Sequence, residues 1–174
     1  MTRIERCVLI GLPGAGKTTV GARLAALLGW SFIDIDAEIE RTTGRSVTEL
    51  FRSDGESAFR AMELRLTAEL SSQAHTVLAP GGGWAAQPGA LETLPAGTAT
   101  VWLRVSPEEA IRRLGGSPLD RPLLARADPL DRLRELGRER NDSYGRADLI
   151  VDVDGRSATE VSRIISEWLK RSTS

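Results

Sequence analysis

The chain is poor in lysine, cysteine, histidine and aromatic side chains, and each shortage closes off some chemistry. Of its 23 basic residues only Lys17 and Lys170 are lysines, the rest being arginine. Cys7 is the single cysteine, so no internal disulfide can form, which suits a reducing compartment. The single histidine, His75, has no partner near it in sequence and is assigned no chemistry. Aromatic residues make up 5%, nowhere interleaved with a basic run, and the formal net charge is -1, which together argue against a nucleic-acid partner. No apolar run approaches the ~18 residues needed to cross a bilayer. The start, Met1-Thr2-Arg3, carries no apolar signal core. A cytoplasmic protein with no membrane and no nucleic-acid partner is therefore expected. Its 174 residues suit one domain over 1–174, expected as a monomer.

What is present is an alternation. Cys7-Val8-Leu9-Ile10 is a short apolar run ended by glycine, the pattern of a buried parallel strand. Residues 17–28 then set Val20, Leu24, Leu27 and Leu28 at helical spacing before the stop signal Gly29. Strand-like runs recur at Ser31-Phe32-Ile33, Thr76-Val77-Leu78-Ala79, Thr100-Val101-Trp102-Leu103 and Leu149-Ile150-Val151, with helical patterns between them. This predicts an α/β fold, a mostly parallel sheet flanked by helices. Ser46-Val47-Thr48-Glu49, Ser106-Pro107-Glu108-Glu109 and Ser157-Ala158-Thr159-Glu160 fit the capping box. Asp128-Pro129 fits an N-cap followed by proline at the first helical position. Residues 115–128 hold too many breakers for a long helix and are too apolar for a linker, so a mobile lid is expected there.

Gly11-Leu12-Pro13-Gly14-Ala15-Gly16-Lys17-Thr18 fits G-x-x-x-x-G-K-[ST] and lies where the mechanism needs it, after a strand and opening a helix. Glycines let backbone N–H groups turn around phosphate oxygens, the helix N-terminus adds the positive end of its dipole, and Lys17 reaches the terminal phosphates. Gly14, Ala15, Gly16, Lys17, Thr18 and Thr19 form the candidate nucleotide cradle, with the Thr18 hydroxyl available to Mg²⁺. A lysine at this position, in a chain so sparing of lysine, strengthens the match. The motif alone does not separate a kinase from a GTPase, an ATPase or a nucleotide switch.

The acceptor side has to decide. Asp34-Ile35-Asp36 follows the second strand, where each carboxylate can serve a different task, one facing the water shell of Mg²⁺ and the other an acceptor hydroxyl. Asp36 as a plain helix cap is the competing reading. Gly81-Gly82-Gly83 leaves N–H groups open to close approach, or is an ordinary loop. Arg60 has Glu56 and Glu63 at i-4 and i+3, a spacing that also describes a surface ion-pair lattice. Trp84 reads either as packing beneath the acceptor pocket or as a core or surface indole.

These motifs, with Gly55-Glu56 ahead of Phe59-Arg60 and Glu63, Arg121-Pro122-Leu123-Leu124, and Arg140 with Tyr144, run in the order seen in shikimate kinases, over residues 11–144. The chain resembles that family. The resemblance implies a three-layer P-loop fold similar to that of nucleoside monophosphate kinases, a five-stranded parallel sheet in the order 2-3-1-4-5 flanked by helices. It also implies a substrate-binding helical region about residues 35–65 and a lid about 115–128. The implied activity is transfer of the γ-phosphate of ATP to the 3-hydroxyl of shikimate, with Mg²⁺, in aromatic amino-acid biosynthesis.

By the same likeness Lys17, Asp36 and Arg121 are catalytic, and Asp34 with Thr18 serves Mg²⁺. Arg113, Arg121 and Arg156 attend the nucleotide. Asp36, Arg60, Gly81, Gly82, Gly83 and Arg140 bind the substrate, with Glu63 orienting Arg60; a guanidinium matches a planar carboxylate better than an ammonium does. Two departures stand out. Asn141-Asp142-Ser143-Tyr144 replaces the family's frequent Pro-Leu-Tyr, which leaves Arg138 as an alternative to Arg140. Gly155-Arg156-Ser157-Ala158 lacks a proline common in the family's adenine loop. The rival readings are another small-molecule kinase of the same fold, similar to gluconate kinase, and a nucleotide-binding regulatory module.

Overall fold

Short apolar runs that can be covered on both faces form the sheet. In the computed structural model, which describes residues 3–115 and 128–172, these are β1 (Arg6–Ile10), β2 (Ser31–Asp34), β3 (Thr76–Ala79), β4 (Thr98–Arg104) and β5 (Leu149–Asp152). All pair in parallel in the order β2-β3-β1-β4-β5, the order that the resemblance implied. The most apolar run lies in the middle: Cys7, Val8 and Leu9 of β1 are fully buried, with Cys7 in register with Val77 on one side and Ala99 on the other. Burial pushes the Cys7 thiol up to about 12, so it is an inert core residue. The edge strands are less covered, and Ile150 on β5 is exposed.

The helices are α1 (Lys17–Leu28), α2 (Ile35–Thr43), α3 (Val47–Ser53), α4 (Glu56–Leu70), α5 (Pro107–Arg113), α6 (Pro129–Tyr144) and α7 (Ala158–Ser172). α1 packs on α7 and β3, α5 on α6, and α2 and α3 on α4. α7 shows why: Val161, Ile165 and Leu169 fall four residues apart, form one stripe and are buried. Among the described residues no helix is long and apolar enough to cross a membrane.

Most helix ends follow the sequence signals. Gly29 closes α1 in the left-handed conformation, its N–H bonding back to Ala25 and Ala26. Ser46 and Glu49 complete a capping box at α3, as do Ser157 and Glu160 ahead of α7. Asp128 accepts from the N–H groups of Leu130 and Asp131 at α6. The box expected at Ser106 is only half made. Ser106 Oγ accepts from the Glu109 N–H, but the Ser106 N–H turns to Asp154 and the Glu109 carboxylate turns to Arg112 and Arg113. A guanidinium holds a carboxylate more strongly than a neutral N–H does.

Candidate active site

β1 delivers the chain into a glycine-rich turn at the carboxyl end of the sheet, the position where open α/β sheets form their crevices. Gly14 (φ 83) and Gly16 (φ 90) take the left-handed conformations that the turn requires. A Cβ on Gly14 would in addition lie 2.7 Å from the carbonyl oxygen of Ala110. α1 then starts with no side-chain cap and no acidic residue in its first turn, so its leading N–H groups and positive dipole end are left for an anion. Lys17 Nζ donates to the carbonyls of Gly11 at 2.6 Å and Leu12 at 3.0 Å, which holds the ammonium against the loop. Ala15 is fully buried; its N–H donates to the Leu12 carbonyl at 3.0 Å and its own carbonyl accepts from Arg113.

The two carboxylates at the end of β2 sit at the strand's last residue and in the first turn of the helix that follows. Asp34 is the last strand residue and the N-cap of α2, its Oδ1 accepting from the Ala37 N–H at 3.1 Å. Asp36 sits in the first helical turn and is not the cap. The helix begins at Ile35, and both carboxylates line the same cleft. Thr18 Oγ1 donates to Asp34 Oδ2 at 2.8 Å.

That cleft encloses about 980 Å³. Gly14, Gly16, Lys17, Thr18 and Thr19 line it, and so do Arg113 and Arg156. Arg113 is tied down more firmly than a surface arginine. Its guanidinium donates to the carbonyls of Ala15 at 3.3 Å, Val153 at 2.7 Å and Arg156 at 3.4 Å, bridging the phosphate loop and the turn after β5. Glu109 anchors it at 2.9 Å. Hydrogen bonds from Arg112 and then Arg113 hold the Glu109 carboxyl down at about 2.

The rest of the lining surrounds the glycine triplet. A Cβ on Gly81 would meet Glu63 Oε1 at 2.4 Å and Asp36 Oδ1 at 3.3 Å; one on Gly82 would meet Arg140 Nη1 at 3.0 Å; one on Gly83 would meet Arg60 Cζ at 2.5 Å. The triplet thus lies against two carboxylates and two guanidiniums. Arg60 is no surface lattice residue: it pairs with Glu63 at 2.9 Å and Glu56 at 3.6 Å, and its Cζ lies 5.9 Å from the Phe51 ring and 5.6 Å from the Phe59 ring. Glu63 is fully buried. Desolvation pushes its carboxyl up, the Arg60 guanidinium working against that shift.

Arg140 is 6% exposed, and its Nη1 is buried with no hydrogen-bond partner among the described residues. Of the two arginines that the sequence left open, Arg140 lines the cleft, while Arg138 is exposed and lines a separate pocket with Trp102 and Arg134. One turn on, the Tyr144 hydroxyl donates to the carbonyl of Gly82. Burial raises the Tyr144 hydroxyl above its ordinary range, with Arg140 opposing. Trp84 is fully buried.

Of the sequence-derived site residues, Arg121 lies outside the described residues, as does most of the segment 115–128. The sequence reading missed three contributors. Val47 and Phe51 line the cleft, and only their apolar spacing on a short helix marked them. Gln87 bonds Glu63 from a loop 24 residues away, a pairing without local signature.

A parallel sheet in this order, a phosphate loop that opens an uncapped helix, and an adjoining pocket of carboxylates and arginines define a P-loop kinase acting on a small anionic molecule. The shikimate kinase family model matches residues 13–170. A shikimate kinase from Mycobacterium avium is 45% identical over 161 residues, covering 92% of this chain and 90% of its own. One from Moorella thermoacetica is 43% identical over 165 residues, covering 94% and 93%. The structure of the Acinetobacter baumannii shikimate kinase in complex with shikimate superposes with a TM-score of 0.92 at 35% identity, covering 97% of this chain and 94% of that one. The chain belongs to the shikimate kinase family and is an ATP-dependent kinase.

Proposed function

We propose that the protein transfers the γ-phosphate of ATP to the 3-hydroxyl of shikimate, giving shikimate 3-phosphate and ADP in aromatic amino-acid biosynthesis, as a cytoplasmic, single-domain monomer. The observation that carries this reading is the pair Arg60 and Arg140 beside adjacent glycines, with a buried guanidinium N–H on Arg140 left for an acceptor. A planar carboxylate supplies that acceptor.

In this reading Lys17 exchanges the carbonyls of Gly11 and Leu12 for phosphate oxygens, and the first-turn N–H groups of α1 hold the same phosphates. Asp36 accepts a hydrogen bond from the attacking hydroxyl and orients it toward the γ-phosphorus. Arg60 and Arg140 fix the carboxylate, and Tyr144 pins the Gly82 carbonyl so that the triplet keeps its place. Arg113 and Arg156 attend the nucleotide, and Arg121 from the lid meets the transferring group. Phosphoryl transfer asks mainly for such alignment and for positive charge near the equatorial oxygens.

The Thr18 hydroxyl and Asp34 carboxylate, 2.8 Å apart, are hard oxygen donors that fit Mg²⁺. Among the described residues no cluster of three or more acidic, histidine or cysteine ligands competes for a metal. Mg²⁺ takes one or two protein oxygens and fills its shell with water and phosphate. When bound, Mg²⁺ neutralises charge on the β- and γ-phosphates.

The test is ADP release with Mg²⁺ and ATP in the presence of shikimate, gluconate, a nucleoside monophosphate or no acceptor. Stimulation by shikimate is expected, with Arg60→Ala raising KM for shikimate by about 30-fold or more. Stimulation by gluconate instead sinks the substrate assignment, and indifference to every acceptor favours a regulatory module.

A further inference from the structure

Glu63 is fully buried, and an ionised carboxylate in such a place depends on the donors aimed at it. Its Oε2 accepts two, Arg60 Nη1 at 2.9 Å and the side-chain amide of Gln87 at 3.0 Å. Only the NH₂ end of that amide can face a carboxylate. The backbone of Gln87 is held at three points. Its N–H donates to the Trp84 carbonyl at 3.0 Å, its own carbonyl accepts from the Ala90 N–H at 3.1 Å, and Pro88 restricts it to the extended region where it lies, at φ -72 and ψ 134. A half-buried side chain on so constrained a backbone is delivered to one place.

We propose that Gln87 is a positioning residue for the acceptor: its amide keeps Glu63 ionised and turned toward Arg60, so that Arg60 presents its guanidinium to the substrate carboxylate. This rests on the shikimate reading above. The groups around Glu63 divide clearly. Arg60 on the same helix favours the ionised form, as does the Gly81 N–H from the loop after β3, while Asp36 from α2 opposes it. From α6 comes Tyr144, whose hydroxyl senses both Glu63 and Arg140. Gln87 offsets burial without adding charge, so it supports the carboxylate without competing for the substrate.

Two substitutions test the amide separately from the loop. Gln87→Met keeps the length and removes the donor; KM for shikimate is expected to rise roughly tenfold, the order of one hydrogen bond to a charged group. Its kcat and KM for ATP should stay within about twofold. The acid limb of kcat/KM for shikimate should move to higher pH, because the ionised carboxylate has lost a donor. Gln87→Glu supplies a donor only while protonated, so its KM for shikimate should climb with rising pH, whereas that of Gln87→Met falls. Shikimate-induced thermal stabilisation provides a readout independent of turnover and should weaken in the same order. Unchanged KM and pH profile in both variants overturns the inference, and so does an equal rise in KM for ATP. A wild type active on shikimate beside unaffected variants sinks this inference alone; a wild type indifferent to shikimate sinks the functional reading with it.

Discussion

Gly83 has an ordinary backbone, φ -86 and ψ -9, so conformation does not require glycine there. Space does, because a Cβ would come within 2.5 Å of Arg60 Cζ. The guanidinium has to shift, and with it the donor to the buried Glu63, so Gly83→Ala should lower the thermal midpoint. It should lower kcat/KM for shikimate by roughly 10²-fold, as expected for reacting groups misplaced by about an ångström. Steady-state kinetics beside a melting curve checks both halves. In the sequence the triplet reads as a set of open N–H groups; that it makes room for the two arginines and two carboxylates emerges only when distant elements meet. Arg140 was more legible. Leu133, Leu136, Arg140 and Tyr144 recur at helical spacing and are the buried residues of α6, whereas Arg138, two positions earlier, lies some 200° around the helix. Gln87 could not be found in this way, since its partner is on another element and neither residue constrains the other locally.

α5 shows how one element is stapled to the nucleotide side. Glu109, held down at about 2 by Arg112 and then Arg113, anchors the arginine that bridges the phosphate loop and the turn after β5. A carboxyl whose folded value lies below its ordinary one contributes stability above that ordinary value and loses it as pH falls toward the folded one. The gap in thermal midpoint between wild type and Glu109→Gln should therefore hold steady at neutral pH and close between about pH 4.5 and about pH 2. Solvent still reaches the pair, with the two side chains 23% and 16% exposed, so the gap itself should be small. Helices bounded by local signals, such as α1 with its glycine stop, were readable to the residue. The junction of β2 and α2 was not, because Asp34-Ile35-Asp36 satisfies both a strand end and a helix start. Tertiary packing of the fully buried Ile35 and Ile39 makes the choice.

For the whole molecule, the five strands announce themselves as apolar runs, but their order does not. Neighbours in the sheet are set by crossover connections, which local sequence does not encode; the order came from resemblance and the structure agrees with it. The central strand bears the consequence. Leu9 is fully buried in β1, between β3 and β4, and Leu9→Ala should cost about 3–5 kcal/mol. Against a total of about 5–15 kcal/mol, urea unfolding should show a large drop in midpoint with little change in slope. The first turn of α1 has a different kind of consequence. A helix whose N-cap is a glycine, with no side chain to satisfy its leading N–H groups, can take that partner from an anion that docks there. Nucleotide binding and the order of that turn are then linked, so saturating ADP should slow amide hydrogen exchange in the first turn of α1.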